Sequence, residues 1–252
     1  MLVDTKRMFN ISIEASTLLI IIVCCSVPWL LPSSAQPEMY NYFADTRELA
    51  GIQNFADVMS NLSFVLAGIL GIFLIKLKNL KPVLRLALHT FAIGVIATGA
   101  GSAYYHIQPT DYSLVFDRLP MVVAFAGVLG AMSYQLTSND FASRLTMAAA
   151  FLFGVVSVVY WSTTGNITPY ATLQFGGLAW LIYGAVQLNS TRSNNQLNWA
   201  GLITCYVLAK VFELFDAYIF HYVTEGIVSG HTLKHIIAAL GIVLLLTKRA
   251  SD

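Results

Sequence analysis

A chain of 252 residues that is 57% hydrophobic and 11% charged, with mean hydropathy +0.68, is not a soluble domain, where about a quarter of residues carry charge. The formal net charge of +1 comes without a basic patch, which excludes nucleic-acid binding. Of three cysteines, Cys24 and Cys25 are adjacent and Cys205 is distant; they form neither a disulfide framework nor metal-ligand spacing, and read as apolar packing.

A hydrocarbon core about 30 Å thick needs about 20 apolar residues as helix. Stretches 14–32, 54–76, 86–107, 114–135, 145–163, 171–188, 198–219 and 230–247 meet that length. The connections are short, so the sequence predicts an all-α, polytopic membrane protein. Its core is a seven-helix bundle over 54–247, preceded by an N-terminal hydrophobic segment (1–35) and an extracytoplasmic loop (36–53), and followed by a cytoplasmic tail (248–252). The first segment reads either as a retained anchor or as a signal peptide cut near Ser33-Ser34-Ala35. Glu14 and the long polar start favour retention.

Positive charge sets the orientation. Lys6, Arg7, Lys76, Lys78, Lys81, Arg85, Arg144, Arg192, Lys248 and Arg249, ten of the 14 Lys and Arg, fall on one side of an eight-span arrangement. Of the others, only Arg47 lies in a loop on the opposite side; Arg118, Lys210 and Lys234 are at or within helices. Both termini are therefore expected in the cytoplasm. Ser102 and His106 then close the third stretch, Asp117 opens the fourth, His231 and His235 open the last, and Asp57 and Asn61 open the second. Loop charge alone puts all of them at the outer level. Ionisable groups at membrane depth are costly and mark sites.

Ser102 and His106 are i, i+4 on one helix face, as are His231 and His235. Two imidazoles from one helix and one from another leave a fourth tetrahedral position open, the form of a catalytic zinc site. Such an ion lowers the pKa of a bound water from 15.7 to about 7. Asp117 could take or pass the proton, and Ser102 could donate to a developing oxyanion. His89 falls at the wrong end of its helix, and His221 is a second-choice ligand in a loop. Asn54 suits a helix cap, which Asn61, two turns on, does not. Lys210, Glu213 and Asp216, at i, i+3, i+6, read as an internal ion network, with a proton path as the other reading. Lys234 is expected to snorkel outward. Tyr104, Tyr105, Tyr112 and Trp161 read as interface aromatics, and Gly94, Gly99 and Gly101 with Ala97 and Ala100 as a close-packing surface.

The order Ser102, His106, Asp117, then His231-x-x-x-His235 resembles the alkaline ceramidase family, within the membrane hydrolases that include the adiponectin receptors. Ser-Gly-His-Thr-Leu-Lys-His (229–235), with Lys210, Glu213 and Asp216, resembles the family's bacterial branch. Asn54-Phe-Ala-Asp57-Val-Met-Ser60-Asn61 resembles that family's first-helix motif, and Asp117-Arg118-Leu-Pro-Met its Asp-Glu-Leu-Pro-Met. The resemblance covers roughly 40–247. It implies seven helices, zinc on His106, His231 and His235, and hydrolysis of the ceramide amide to a sphingoid base and a fatty acid. It also implies a calcium ion near the entry to the first core helix. Asn54 stands where the family has a glutamate ligand; Asp45 and Glu48 could supply oxygen ligands, with Asp57 and Asn61 as further calcium or structural candidates. Other readings are hydrolysis of another lipid amide or an ester, a seven-helix lipid receptor with structural zinc, and a proton-coupled transporter. A purely structural zinc would need neither Ser102 nor Asp117. No obligate protein partner is evident; the expected partner is a membrane lipid.

Overall fold

Five helices are long and apolar enough to cross a membrane: α1 (Phe55–Lys76), α2 (Pro82–Ile107), α3 (Asp111–Thr137), α4 (Asp140–Thr164) and, last in the chain, Gly230–Thr247. The computed structural model describes residues 25–190 and 197–247. Most of the expected first span, with Lys6, Arg7, Glu14 and Cys24, lies outside the described residues, as do Arg192, Lys248 and Arg249.

Two of the expected spans are interrupted. Residues 168–190 form a short turn Thr168–Ala171, a π-helical stretch Thr172–Gly176 and helix α5 (Gly177–Ser190). Helix α6 (Trp199–Leu214) stops at Phe215 and is followed by Asp216–Tyr218 and a second π-helical stretch, Ile219–Val223. Helix α7 is Gly230–Thr247. Single π-turns inside helices are uncommon and cluster at functional sites. Helix α1 is itself broken at Asn61, between Phe55–Ser60 and Leu62–Lys76.

The helix ends follow the local sequence. Pro82 opens α2, where a missing N–H costs nothing. The Thr110 and Ser113 side chains cap α3 reciprocally, and Asn139 accepts from Phe141 N and Ala142 N at the start of α4. Gly165, at φ 75°, ends α4 in the left-handed conformation that glycine takes freely.

Between apolar helices in lipid, close contact replaces the hydrophobic effect as the driving force. The small-residue surface of α2 provides it. A Cβ on Gly94 would sit 2.3 Å from Ala124 N, and one on Gly101 would sit 2.0 Å from the Phe116 carbonyl oxygen, so α2 and α3 touch backbone to backbone. Gly99 faces α1 instead, where a Cβ would meet Asn61 O at 2.9 Å. Helix α7 packs on α6 and α1. Leu62, Leu66, Ile69 and Phe73 of α1 remain exposed, an apolar face turned outward.

The loop ahead of α1 is a strap across one end of these helices. Asn41 donates from Nδ2 to Asp111 Oδ1 (3.0 Å) and accepts from the Tyr105 hydroxyl (2.8 Å). Ala44 N donates to Asp216 Oδ2 (3.0 Å), and Phe55 N to Arg47 O (3.1 Å). Tyr105 and Trp161 are each only 2% exposed, so they are core residues and not interface aromatics. The strap gives the Tyr105 hydroxyl a partner inside, and the Arg118 guanidinium lies over the Trp161 ring. Tyr104 and Tyr112 stay exposed.

Candidate metal centre and its cavity

His106 ends α2, and His231 and His235 occupy successive turns of α7. Their ligand-type nitrogens all lie within 4.8 Å of one another, and all three residues are buried. His231 Nε2 is 3.2 Å from His106 Nε2. An ion bound tetrahedrally to nitrogens at 2.0–2.1 Å would space them about 3.4 Å apart, so this pair fits one. The trio could hold a metal ion.

The surroundings orient the rings. His235 Nδ1 is 2.7 Å from the Ser60 hydroxyl, which leaves its Nε2 for a metal. Phe43, from the strap, packs edge-on against His106 and His231 with centroids 4.6 and 4.7 Å away. Asp216 Oδ1 accepts from His231 N at 2.7 Å, and Ser229 Oγ accepts from Thr232 N at 2.9 Å, so two side chains cap the first turn of α7. A Cβ on Gly230 would meet Phe212 O at 2.3 Å; only glycine lets α7 begin this close to α6. Among the described residues, His106 Nδ1 has no hydrogen-bond partner.

One cavity lies against this group. His235, Ser102 and Asp117 line it, and it continues between Phe91, Val95, Leu129 and Leu181. Ser102 and the Asp117 carboxyl line it from neighbouring helices. A histidine of the trio, an acid and a hydroxyl therefore line one cavity, whose continuation is apolar.

No family model and no curated protein matches this chain. What the site does must come from its own residues.

Among the described residues, the three acids Asp45, Glu48 and Asp57 form no group that could share an ion. Asp45 is engaged by Arg47, at 2.6 Å between Oδ2 and Nη2 and 2.8 Å between Oδ1 and Nε, and Glu48 is exposed. Asn54 stands at the N-cap position of α1 but makes no cap bond. Its left-handed backbone (φ 50°), a conformation asparagine tolerates, turns Nδ2 toward the carbonyl of His106 at 2.8 Å. Asp57 Oδ1 accepts from Ser229 Oγ (3.1 Å) and Thr232 Oγ1 (2.6 Å), tying α1 to the start of α7. Asn61 Nδ2 donates to Asp57 O at 2.8 Å. Asp57 Oδ2 and Asn61 Oδ1 lack hydrogen-bond partners among the described residues.

The ion network also differs from expectation. Glu213 pairs with Lys210 (2.6 Å) and with Lys234 (2.9 Å), so Lys234 points inward and does not snorkel. Asp216 is not part of it, because α6 ends at Leu214 and the i, i+3, i+6 face is lost. Instead it joins the strap to α7. His221 is exposed and outside the trio, and His89 is likewise outside it.

Sequence reasoning passed over Phe43, Ser60, Ser229, Thr232 and the inward face of Arg118. Ser60 lay within the quoted α1 motif, one residue before Asn61. Phe43 carried no signal, since a loop aromatic has no spacing that aims it. In the strap, burial works to raise the Asp45 carboxyl, but the hydrogen bonds and charge of Arg47 hold it below its ordinary value. Burial lowers Lys78, at the far end of α1.

Proposed function

We propose that this protein is a zinc-dependent lipid amidase of the membrane. It would cleave the amide of ceramide or a ceramide-like lipid to a sphingoid base and a fatty acid, within a seven-helix bundle whose fifth and sixth spans are the π-interrupted segments. The observation that carries the reading is the shared cavity: His235 of a three-histidine cluster, Ser102 and Asp117 all line one space with an apolar continuation suited to an acyl chain.

His106, His231 and His235 would hold the ion, which supplies Lewis-acid polarisation of the carbonyl and a water acidified toward neutral pH. Asp117 would accept the water's proton on a carboxylate oxygen and return it to the departing nitrogen, so water and amide become carboxylic acid and amine. The Ser102 hydroxyl would donate to the carbonyl oxygen as negative charge builds there. The apolar walls would hold the acyl chain and limit water. Charge placement supports a site on the extracytoplasmic side, with the C-terminus in the cytoplasm.

The test is release of free fatty acid from a ceramide panel by protein purified in detergent, followed by mass spectrometry. Release should vanish in His231→Ala and after chelation, and return when zinc is added back to the chelated wild type. Stoichiometric zinc without release from any amide or ester lipid would leave a receptor with structural zinc. Loss of neither zinc nor activity in His231→Ala would remove the site.

A further inference from the structure

The cavity that begins at His235 has an excess of positive charge. Arg118, Lys210 and Lys234 line it, against Asp117 and Glu213. Glu213 alone serves both ammonium groups. Arg118 is 3% exposed. Its guanidinium lies 3.8 Å from the Trp161 ring centroid and 4.9 Å from that of Tyr170, and Nη2 donates to Gln36 Oε1. Among the described residues, Nε and Nη1 have no hydrogen-bond partner. Aromatic faces attract the cation but leave its in-plane N–H groups free. Among the described residues no carboxylate is in ion-pair contact with it.

A buried guanidinium with two idle donors is expensive, and excess charge beside apolar walls is more so. The cost is offset when a ligand brings the missing anion. The planar fork of arginine suits an oxyanion. Position also matters: Arg118 follows Asp117 on α3 and both line the cavity, so the guanidinium lies near the place where an amide would be cut. In a sphingoid amide, the carbon that bears the head group adjoins the carbon that bears the nitrogen. Head group and scissile bond must therefore be bound as neighbours.

We propose that the amide lipid taken by this cavity carries an acidic head group, a phosphate, sulfonate or carboxylate, received by Arg118 with Lys210 and Lys234. The proposal deepens the amidase reading and rests on it for the placement of the amide. The anion completes the charge balance of the cavity, and the acyl chain follows the apolar walls.

Binding to purified protein in non-ionic detergent tests this, with palmitoyl ceramide, its phosphate ester and free palmitate as probes in native mass spectrometry, and fatty-acid release measured on the same samples. Wild type should prefer the phosphate ester to the neutral lipid by roughly tenfold or more, as a charge-assisted bidentate contact would give. Arg118→Gln should cut that preference to roughly twofold. If Arg118→Gln does not fold, Lys210→Met should reduce the same ratio. Equal binding of both lipids by wild type, or a preference that survives in both variants, overturns the proposal. So does an Arg118-dependent affinity for palmitate without one for the phosphate ester, since the cations would then serve the released carboxylate. Release from neutral ceramide with no anionic preference would sink this proposal and leave the amidase standing. Anionic preference without release from any lipid would keep the anion site and remove the amidase.

Discussion

The histidine trio and the Lys210–Glu213–Lys234 bridge border the same cavity but are built in opposite ways. His106, His231 and His235 are 1%, 7% and 2% exposed, enclosed by Phe43, Ser60 and the first turn of α7. The side chains of Lys210, Glu213 and Lys234 are 32%, 22% and 20% exposed, and they line open space. A metal site has to fix nitrogen positions to a few tenths of an ångström, which requires rings packed from several sides. A charge cluster needs only neutralisation and tolerates longer side chains with more freedom. Removing a support of the trio should therefore change metal affinity, while removing the centre of the bridge should change stability.

The largest effect on the bridge side is expected from Glu213→Gln. It leaves two ammonium groups beside each other without their carboxylate, and breaking such a partly buried cluster costs about 3 kcal/mol. The melting temperature of the protein in detergent should fall, while zinc content per folded molecule stays at the wild-type level. If the melting temperature holds and zinc is lost, the two regions are not separable in the way the geometry indicates.

On the trio side the corresponding change is Ser60→Ala. Without the hydroxyl, His235 Nδ1 loses the contact that fixes its ring, and loss of such an outer partner typically lowers metal affinity by about 10- to 100-fold. Competition with a chromogenic chelator measures this directly. The melting temperature of the metal-free protein should move little. A wild-type affinity in Ser60→Ala would mean that ring packing alone orients His235.

The same contrast explains what could be read from the sequence. The trio was legible because His231 and His235 follow helical spacing and because loop charge put the end of α2 and the start of α7 at one level. The close packing of α2 was legible in Gly94 and Gly101 for the same local reason. Lys234 was misread because its partner, Glu213, is on another helix, and no spacing along one chain segment encodes that contact. Asp216 was misread because the break after Leu214 cancels the periodicity on which its placement depended. Arg118 was legible as a charge within a helix, but its aromatic surroundings, Tyr40, Trp161 and Tyr170, come from three different segments. The interruptions in residues 168–190 and 199–223 were invisible too, since π-turns preserve an apolar run while changing its register.

The smallest effect separates the strap from both regions. Asp45 and Arg47 form its one ion pair among the described residues, and Arg47 Nη2 also donates to Ile227 O at 2.9 Å, just ahead of α7. The folded-state value of Asp45 lies below its ordinary one, because Arg47 outweighs the effect of burial. The stability it contributes is therefore complete above the unfolded pKa of about 3.9 and is lost as pH falls through the lower folded value. With the Arg47 side chain 54% exposed, solvent screens the pair, and its worth is at most about 1 kcal/mol. Asp45→Asn should thus melt slightly lower than wild type by a constant margin from pH 7 to about 5, and that margin should close below about pH 4. Comparing the two proteins at each pH cancels the protonation of the histidines, which both share. A margin that persists at the acid end would assign the effect to the shape of the strap and not to its charge. Phe43, held between this ion pair and the Asn41 contacts, would then owe its position over the trio to packing alone.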